Sequence, residues 1–100
     1  MAMLFAVICI DKPDSLAVRK QNRPEHVAYL QGLGDTLILA GPFTERDGIT
    51  MTGSLIVVDA PSLEAAQQIA DEDPFAKVGL FAKVDIRPWL WTMKNTRKDS

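Results

Sequence analysis

The chain has a single histidine, His26, and imidazole is the side chain whose ordinary titration falls between pH 5 and 8. It can take or give a proton near neutrality if a carboxylate fixes its tautomer. An aspartate suits that role, because it accepts one ring N–H and leaves the other nitrogen basic. Asp73, held at a helix end by Pro74, is one candidate partner. Asp35 is another, although it also reads as a turn residue. Asp71 and Glu72 precede Asp73 on a helix and read as solvated. Spacing does not choose between Asp73 and Asp35. Arg19 and Arg23 lie upstream of His26 on one helical stretch and could hold a substrate anion or a developing enolate. Ser54, after Gly53, adds a hydroxyl. No base adjoins it in sequence, so a strand hydroxyl is its plainer reading.

Other chemistries find no support. One His and one Cys cannot build a zinc site of usual composition within a chain, so no metal is expected. There is no Gly-rich phosphate loop and no haem or flavin motif, so no cofactor is expected. Net charge is −2 with a pI near 5.2, which leaves no electrostatic footprint for nucleic acid. The only basic cluster, Lys94, Arg97 and Lys98, lies in the polar tail at residues 92–100. Met1 to Ile10 is apolar but lacks a basic leader, meets Asp11 and Lys12 at once, and is too short to span a bilayer. Cys9 sits in that apolar run and reads as a buried, inert thiol. A lone cysteine without an export signal points to a reducing cytoplasm.

The elements that must position these residues follow from pattern and punctuation. The chain has 100 residues, 47% hydrophobic and 24% charged, which is one globular domain, expected over residues 1–91. Leu4 to Ile10 is a short β-branched run that predicts a strand apolar on both faces. Asp14 or Ser15 can cap a helix that ends at Gly32 and Gly34, with Pro24 kinking it or dividing it in two. Thr36 to Ala40 and Met51 to Val58 read as strands joined by a hairpin with Asp47-Gly48 at a mobile tip. Ser62 caps a second helix with a stripe of Leu63, Ala66, Ile69 and Ala70, stopped by Asp73-Pro74. A loop through Gly79 leads to a strand over Phe81 to Arg87 that alternates in polarity.

The sum is an α+β, ferredoxin-like β-α-β-β-α-β chain: one antiparallel sheet with two helices on one face. Three strands are apolar at consecutive positions, so the sheet face without helices also needs cover. A second copy supplies it most simply, giving a homodimer of the dimeric α+β barrel type with Trp89 and Trp91 near the contact. A lid from the same chain is the alternative.

The first helix carries charge where apolar residues are expected. At about 100° per residue, Leu16, Val27, Leu30 and Leu33 fall within an arc of roughly 120°, and Arg19, Arg23 and His26 fall inside it. Glu25, Val18 and Tyr29 point elsewhere. Ions are rarely buried without partners, although an arginine can lay its stem on apolar surface and send its head to water. His26 follows the proline, so its phase relative to Leu30 and Leu33 is fixed.

Arg23-Pro-Glu-His26-Val-Ala-Tyr-Leu30, Gly41-Pro42-Phe43, Asp47-Gly48, Gly53-Ser54-Leu-Ile-Val-Val58, Asp73-Pro74-Phe75 and Arg87-Pro88-Trp89 occur in this order. The set resembles the YCII-related family over nearly the whole chain up to Trp89. The resemblance implies a dimeric α+β barrel and a site built from a helix histidine and the aspartate of the Asp-Pro-aromatic motif, which map onto His26 and Asp73. It maps the family's Gly-Pro and Gly-Ser positions onto Gly41, Pro42 and Ser54, and its helix arginine onto Arg19. Pro24, two residues before the histidine, departs from the pattern. One branch of the family is associated with dehydrochlorination of a chlorinated hydroxyquinol, so lyase or isomerase chemistry is implied.

Two functions are therefore expected to compete. One is a cofactor-independent lyase, isomerase or hydrolase in which His26 and Asp73 do acid–base chemistry on a small anionic or phenolic molecule. The other is a non-enzymatic small-molecule-binding or regulatory domain in which the same pair locks helix to sheet.

Overall fold

The computed structural model describes residues 3–95. Residues 96–100, which hold Arg97, Lys98 and most of the expected polar tail, lie outside the described residues. Strands β1 (Met3–Asp11), β2 (Leu37–Thr44), β3 (Met51–Ala60) and β4 (Phe81–Trp89) form one antiparallel sheet in the order β2-β3-β1-β4. Helices α1 (Leu16–Gly32) and α2 (Leu63–Asp71) cover one face, and a one-turn helix α3 (Pro74–Lys77) follows α2. This is the expected ferredoxin-like α+β arrangement. The prolines Pro42 and Pro88 lie in β2 and β4, the two edge strands, where a missing N–H breaks no ladder.

The register assigns the faces. Phe5 pairs with Val58, Val7 with Ile56 and Cys9 with Ser54, and cross-strand partners share a side. Phe5, Val7, Cys9, Ile56 and Val58 are buried and pack with Leu30 of α1 and with Ala66 and Ala70 of α2. That layer of side chains is the core. In α2 Ser62 accepts from the Ala65 N–H at 3.1 Å, as a cap should. Leu63, expected in its apolar stripe, is exposed at the helix entry.

Four local expectations need correction. Pro24 does not divide the first helix, which runs unbroken from Leu16 to Gly32. Ser15 does occupy the N-cap position of α1, but its hydroxyl donates to the Pro13 carbonyl instead of accepting from the helix. Tyr29, expected to point away, packs against the core and donates to the Ile69 carbonyl at 2.7 Å, tying α1 to α2. Finally, the β2–β3 hairpin tip is tied. Asp47 accepts from the N–H groups of Ile49 and Thr50 at 2.8 and 2.9 Å, and Gly48 takes the positive φ that closes the turn. Those bonds hold the Asp47 carboxyl below its ordinary range, the Thr50 hydroxyl first among them.

Candidate active site

Four polar side chains are buried on the helix-covered side of the sheet: Arg19, Ser54 and Asp73 at 2% exposure and His26 at 7%. Each has a partner, as burial requires. His26 projects from the middle of α1. Asp73 ends the α2 segment, where Pro74 forces it out of the helical region and makes it the N-cap of α3. Its Oδ1 accepts from the Phe75 N–H at 3.0 Å and lies 2.8 Å from His26 Nδ1, with Oδ2 at 3.0 Å. The cap bond and the short helix therefore aim one carboxylate at one ring nitrogen. With Nδ1 protonated and donating to Asp73, His26 Nε2 carries a lone pair.

Beside this pair lies a second one. Arg19 Nε donates to Asp11 Oδ2 at 2.6 Å, and its Nη2 donates to Asp11 Oδ1 at 3.0 Å and to Ser54 Oγ at 2.9 Å. Two parallel bonds to one carboxylate are the strong geometry for this ion pair. Ser54 is delivered by Gly53. A Cβ at Gly53 would run into the Cys9 carbonyl oxygen, so only glycine lets β3 and β1 approach there.

Phe75 joins the two pairs. Its ring stacks on His26 with centroids 3.9 Å apart and planes at 14°, and the Arg19 guanidinium lies 4.6 Å from the Phe75 ring centroid. Cation, phenyl and imidazole form one layer, and Phe81 closes it edge-on at 6.1 Å. On the same face Cys9 lies buried, in register with Ser54. Its thiol is pushed up to about 12, chiefly by burial, with the charges of Asp73 and Asp11 adding and Arg19 opposing. It stays a neutral thiol at physiological pH, as expected of an inert one.

An open cavity of about 250 Å³ lies along α1. Arg19, Arg23, His26, Gln31 and Ser54 are its polar lining, and Val27, Leu30, Leu37, Ala40 and Ile56 are its apolar wall. Gly41 and Pro42 of β2 complete it, with Pro42 in register with Ser54. All seven site residues expected from the sequence are thus gathered here: Asp73 reaches the cavity through His26, and the other six line it. Asp35, the rival carboxylate, lies in a 3-10 turn past the end of α1, and Asp73 holds the imidazole instead. Two residues of the site carried no role in the sequence reading, Asp11 and Phe75. A signal for Phe75 was present in the Asp-Pro-aromatic run. For Asp11 there was none beyond its charge at a strand end. Among the described residues no cluster of three His, Cys, Asp or Glu could hold a metal ion, and no helix is long and apolar enough to cross a membrane.

Comparison with known proteins gives the family and the fold. Residues 3–90 match the YCII-related domain. Protein YciI of Escherichia coli O6:H1 is 39% identical, over 87% of this chain and 96% of its own length. An uncharacterised protein of Haemophilus influenzae is 30% identical over the same shares. Among solved structures, 5-chloro-2-hydroxyhydroquinone dehydrochlorinase of Burkholderia phenoliruptrix AC1100, in complex with 2,5-dihydroxybenzoquinone, superposes with a TM-score of 0.80. It is 37% identical, over 88% of this chain and 94% of that one. The chain belongs to the YCII-related family.

Proposed function

We propose that this protein is a cofactor-independent acid–base enzyme acting on a small monocyclic phenol or related anion, with His26 as the proton-transferring group. The observation that carries the reading is the His26–Asp73 bond at 2.8 Å on a residue that lines a cavity. Asp73 binds Nδ1 and leaves Nε2 without a protein partner among the described residues. Phe75 holds the ring plane. A locked imidazole with one free nitrogen is what general base catalysis needs, a contribution of roughly 10²- to 10⁴-fold.

Size narrows the substrate. A cavity of about 150 Å³ accommodates benzene, so about 250 Å³ suits one ring with its substituents and not a nucleotide. The apolar wall suits a ring face, and the Ser54 and Arg19 side suits oxygens. The likeness to a dehydrochlorinase with a dihydroxybenzoquinone bound supports the same class. In the reaction, Nε2 takes the proton of a ring hydroxyl. The electron pair of the broken O–H bond becomes a C=O bond, and the displaced ring pair takes the proton back from His26 at the carbon that bears the leaving group. A second ring hydroxyl then loses its proton, its pair forms a second C=O bond, and the leaving group departs with its own bonding pair, for which chloride is the model. We place the protein in the cytoplasm, where its buried lone thiol stays reduced.

We also propose that it works as a homodimer through the sheet face opposite the helices. There Leu39, Val57 and Ala6 form one cross-strand row, and Leu55 and Ile8 the next.

Incubation with 5-chloro-2-hydroxyhydroquinone tests the chemistry. Chloride release is expected from the wild type and is lost in His26→Ala, whose far-UV circular dichroism stays native. A wild type that releases no chloride above the spontaneous rate would refute this substrate class. A His26→Ala variant that is merely less stable, with ligand affinity unchanged, would make the pair a structural lock.

A further inference from the structure

The two arginines of the cavity are in different electrical states. Arg19 lies against Asp11, whose carboxylate takes bonds from two of its nitrogens. Its charge is balanced within the protein, and its Nη2 is also committed to Ser54. Arg23, one helical turn further along α1, lines the same cavity but is exposed. Its guanidinium has no hydrogen bond or ion pair among the described residues. Residues three apart on a helix are neighbours, so Arg23 flanks His26 on one side as Arg19 and Lys20 flank Arg23 on the other. No acidic residue lies on α1 between Leu16 and Pro24, which leaves this end of the cavity with uncompensated positive charge.

We propose that Arg23 is the specificity-determining residue of this cavity. It would select ligands that carry an anionic substituent, a carboxylate or an ionised ring oxygen, about one helical turn from the atom that meets His26. This rests on the cavity being the ligand site, and it adds which group reads the ligand's charge. A guanidinium can form two parallel bonds to such a group. An apolar wall that runs from Val27 past Leu30 toward Gln31 then takes the uncharged part of the ring. The division follows from charge balance. A second anion beside Arg19 would meet the Asp11 carboxylate, whereas at Arg23 it meets none.

The test uses two probes of nearly the same shape, one anionic and one neutral: 2,5-dihydroxybenzoate and its amide, 2,5-dihydroxybenzamide. Both are titrated calorimetrically at low salt into the wild type, Arg23→Gln and Arg23→Lys. The wild type is expected to bind the carboxylate about tenfold or more tighter than the amide, because charge-assisted bonds are about twice as strong as neutral ones. Arg23→Gln should remove that preference by lowering carboxylate affinity about tenfold more than amide affinity, and Arg23→Lys should keep part of it, since lysine offers a point charge. A preference undiminished in Arg23→Gln, or absent from the wild type, would overturn the proposal. The signal of the sole imidazole, His26, separates the two levels. If the amide shifts it in both wild type and Arg23→Gln while the charge preference fails, the cavity reading stands and the role of Arg23 falls. If neither probe shifts it, both fall.

Discussion

The two faces of the sheet are built on opposite rules. On the helix-covered face, every buried charge has a partner: Arg19 has Asp11 and Ser54, and His26 has Asp73. On the other face, most apolar residues stand without cover, Val57 being buried among them. Leu39 and Ile10 are 37% and 44% exposed, and Leu4, Ala6, Ile8 and Leu55 are half-buried. The rows of that face run from Leu39 through Val57 and Ala6 to Arg87, and from Gly41 through Leu55 and Ile8 to Asp85. An apolar centre thus grades into a charged margin, where Arg87 and Asp85 pair at 2.8 Å. One face spends its polar groups on holding a site. The other keeps an apolar surface that only a further layer can bury.

Breaking a partnership on the covered face should have the largest effect. Asp11→Ala leaves the Arg19 guanidinium buried without its carboxylate, which costs about 3–5 kcal/mol. Urea unfolding should show this as a lower midpoint with an unchanged slope. Replacing both partners, Asp11→Ala with Arg19→Met, should recover much of the loss, because an apolar pair of similar volume is often tolerated. A loss below about 1 kcal/mol in Asp11→Ala would place this pair among exposed ones and dissolve the contrast between the faces.

On the uncovered face the corresponding change is Leu55→Asp, which should leave the monomer folded. If two copies meet there, a charge at the centre of their contact should weaken association by about 100-fold, on the order of 3 kcal/mol. Sedimentation equilibrium reads it directly. The wild type should be a dimer at micromolar concentration and the variant a monomer. A wild type that sediments as a monomer throughout would sink the dimer.

The same contrast marks how far the sequence could be read. Strand and helix order followed from apolar runs and from punctuation at Gly34, Asp47-Gly48, Asp73-Pro74 and Gly79, because local pattern sets local structure. The wheel of α1 placed Arg19 and His26 correctly toward the sheet, and both are buried. It placed Arg23 on the same arc, yet Arg23 is exposed. A wheel gives direction and not depth, and depth depends on what the sheet puts beneath each turn. Asp73 could not be chosen over Asp35 from spacing, since 47 residues separate it from His26. Family resemblance supplied it. Asp11 was invisible for a different reason: only eight residues separate it from Arg19, but it ends a strand, and nothing in the pattern shows that the helix turns Arg19 back onto that strand end. The hairpin tip was misjudged because loop length suggests freedom, whereas Asp47 closes the turn with its own side chain.

Cys9 offers the smallest of these tests, and a sharp one, because neighbours along β1 alternate between the faces. Cys9 lies on the covered side, between Ile8 and Ile10 on the other. Its thiol, pushed up to about 12 from an ordinary 9.0, binds its proton more tightly in the folded chain than in the unfolded one. That contribution to stability is complete below pH 9 and is lost as pH rises toward 12. Between pH 8 and pH 10 the loss is about 1.4 kcal/mol, one pKa unit's worth. Tyr29 acts in the same direction above pH 10, its hydroxyl raised first by burial and then by Asp73 and Glu72. Cys9→Ala should therefore flatten the stability curve between pH 8 and 10 and leave the Tyr29 decline beyond it. Iodoacetamide at pH 8 should modify native Cys9 slowly and urea-unfolded Cys9 fast. An alkaline slope just as steep in Cys9→Ala would mean that the thiol meets water, and that the covered face is not sealed around Cys9.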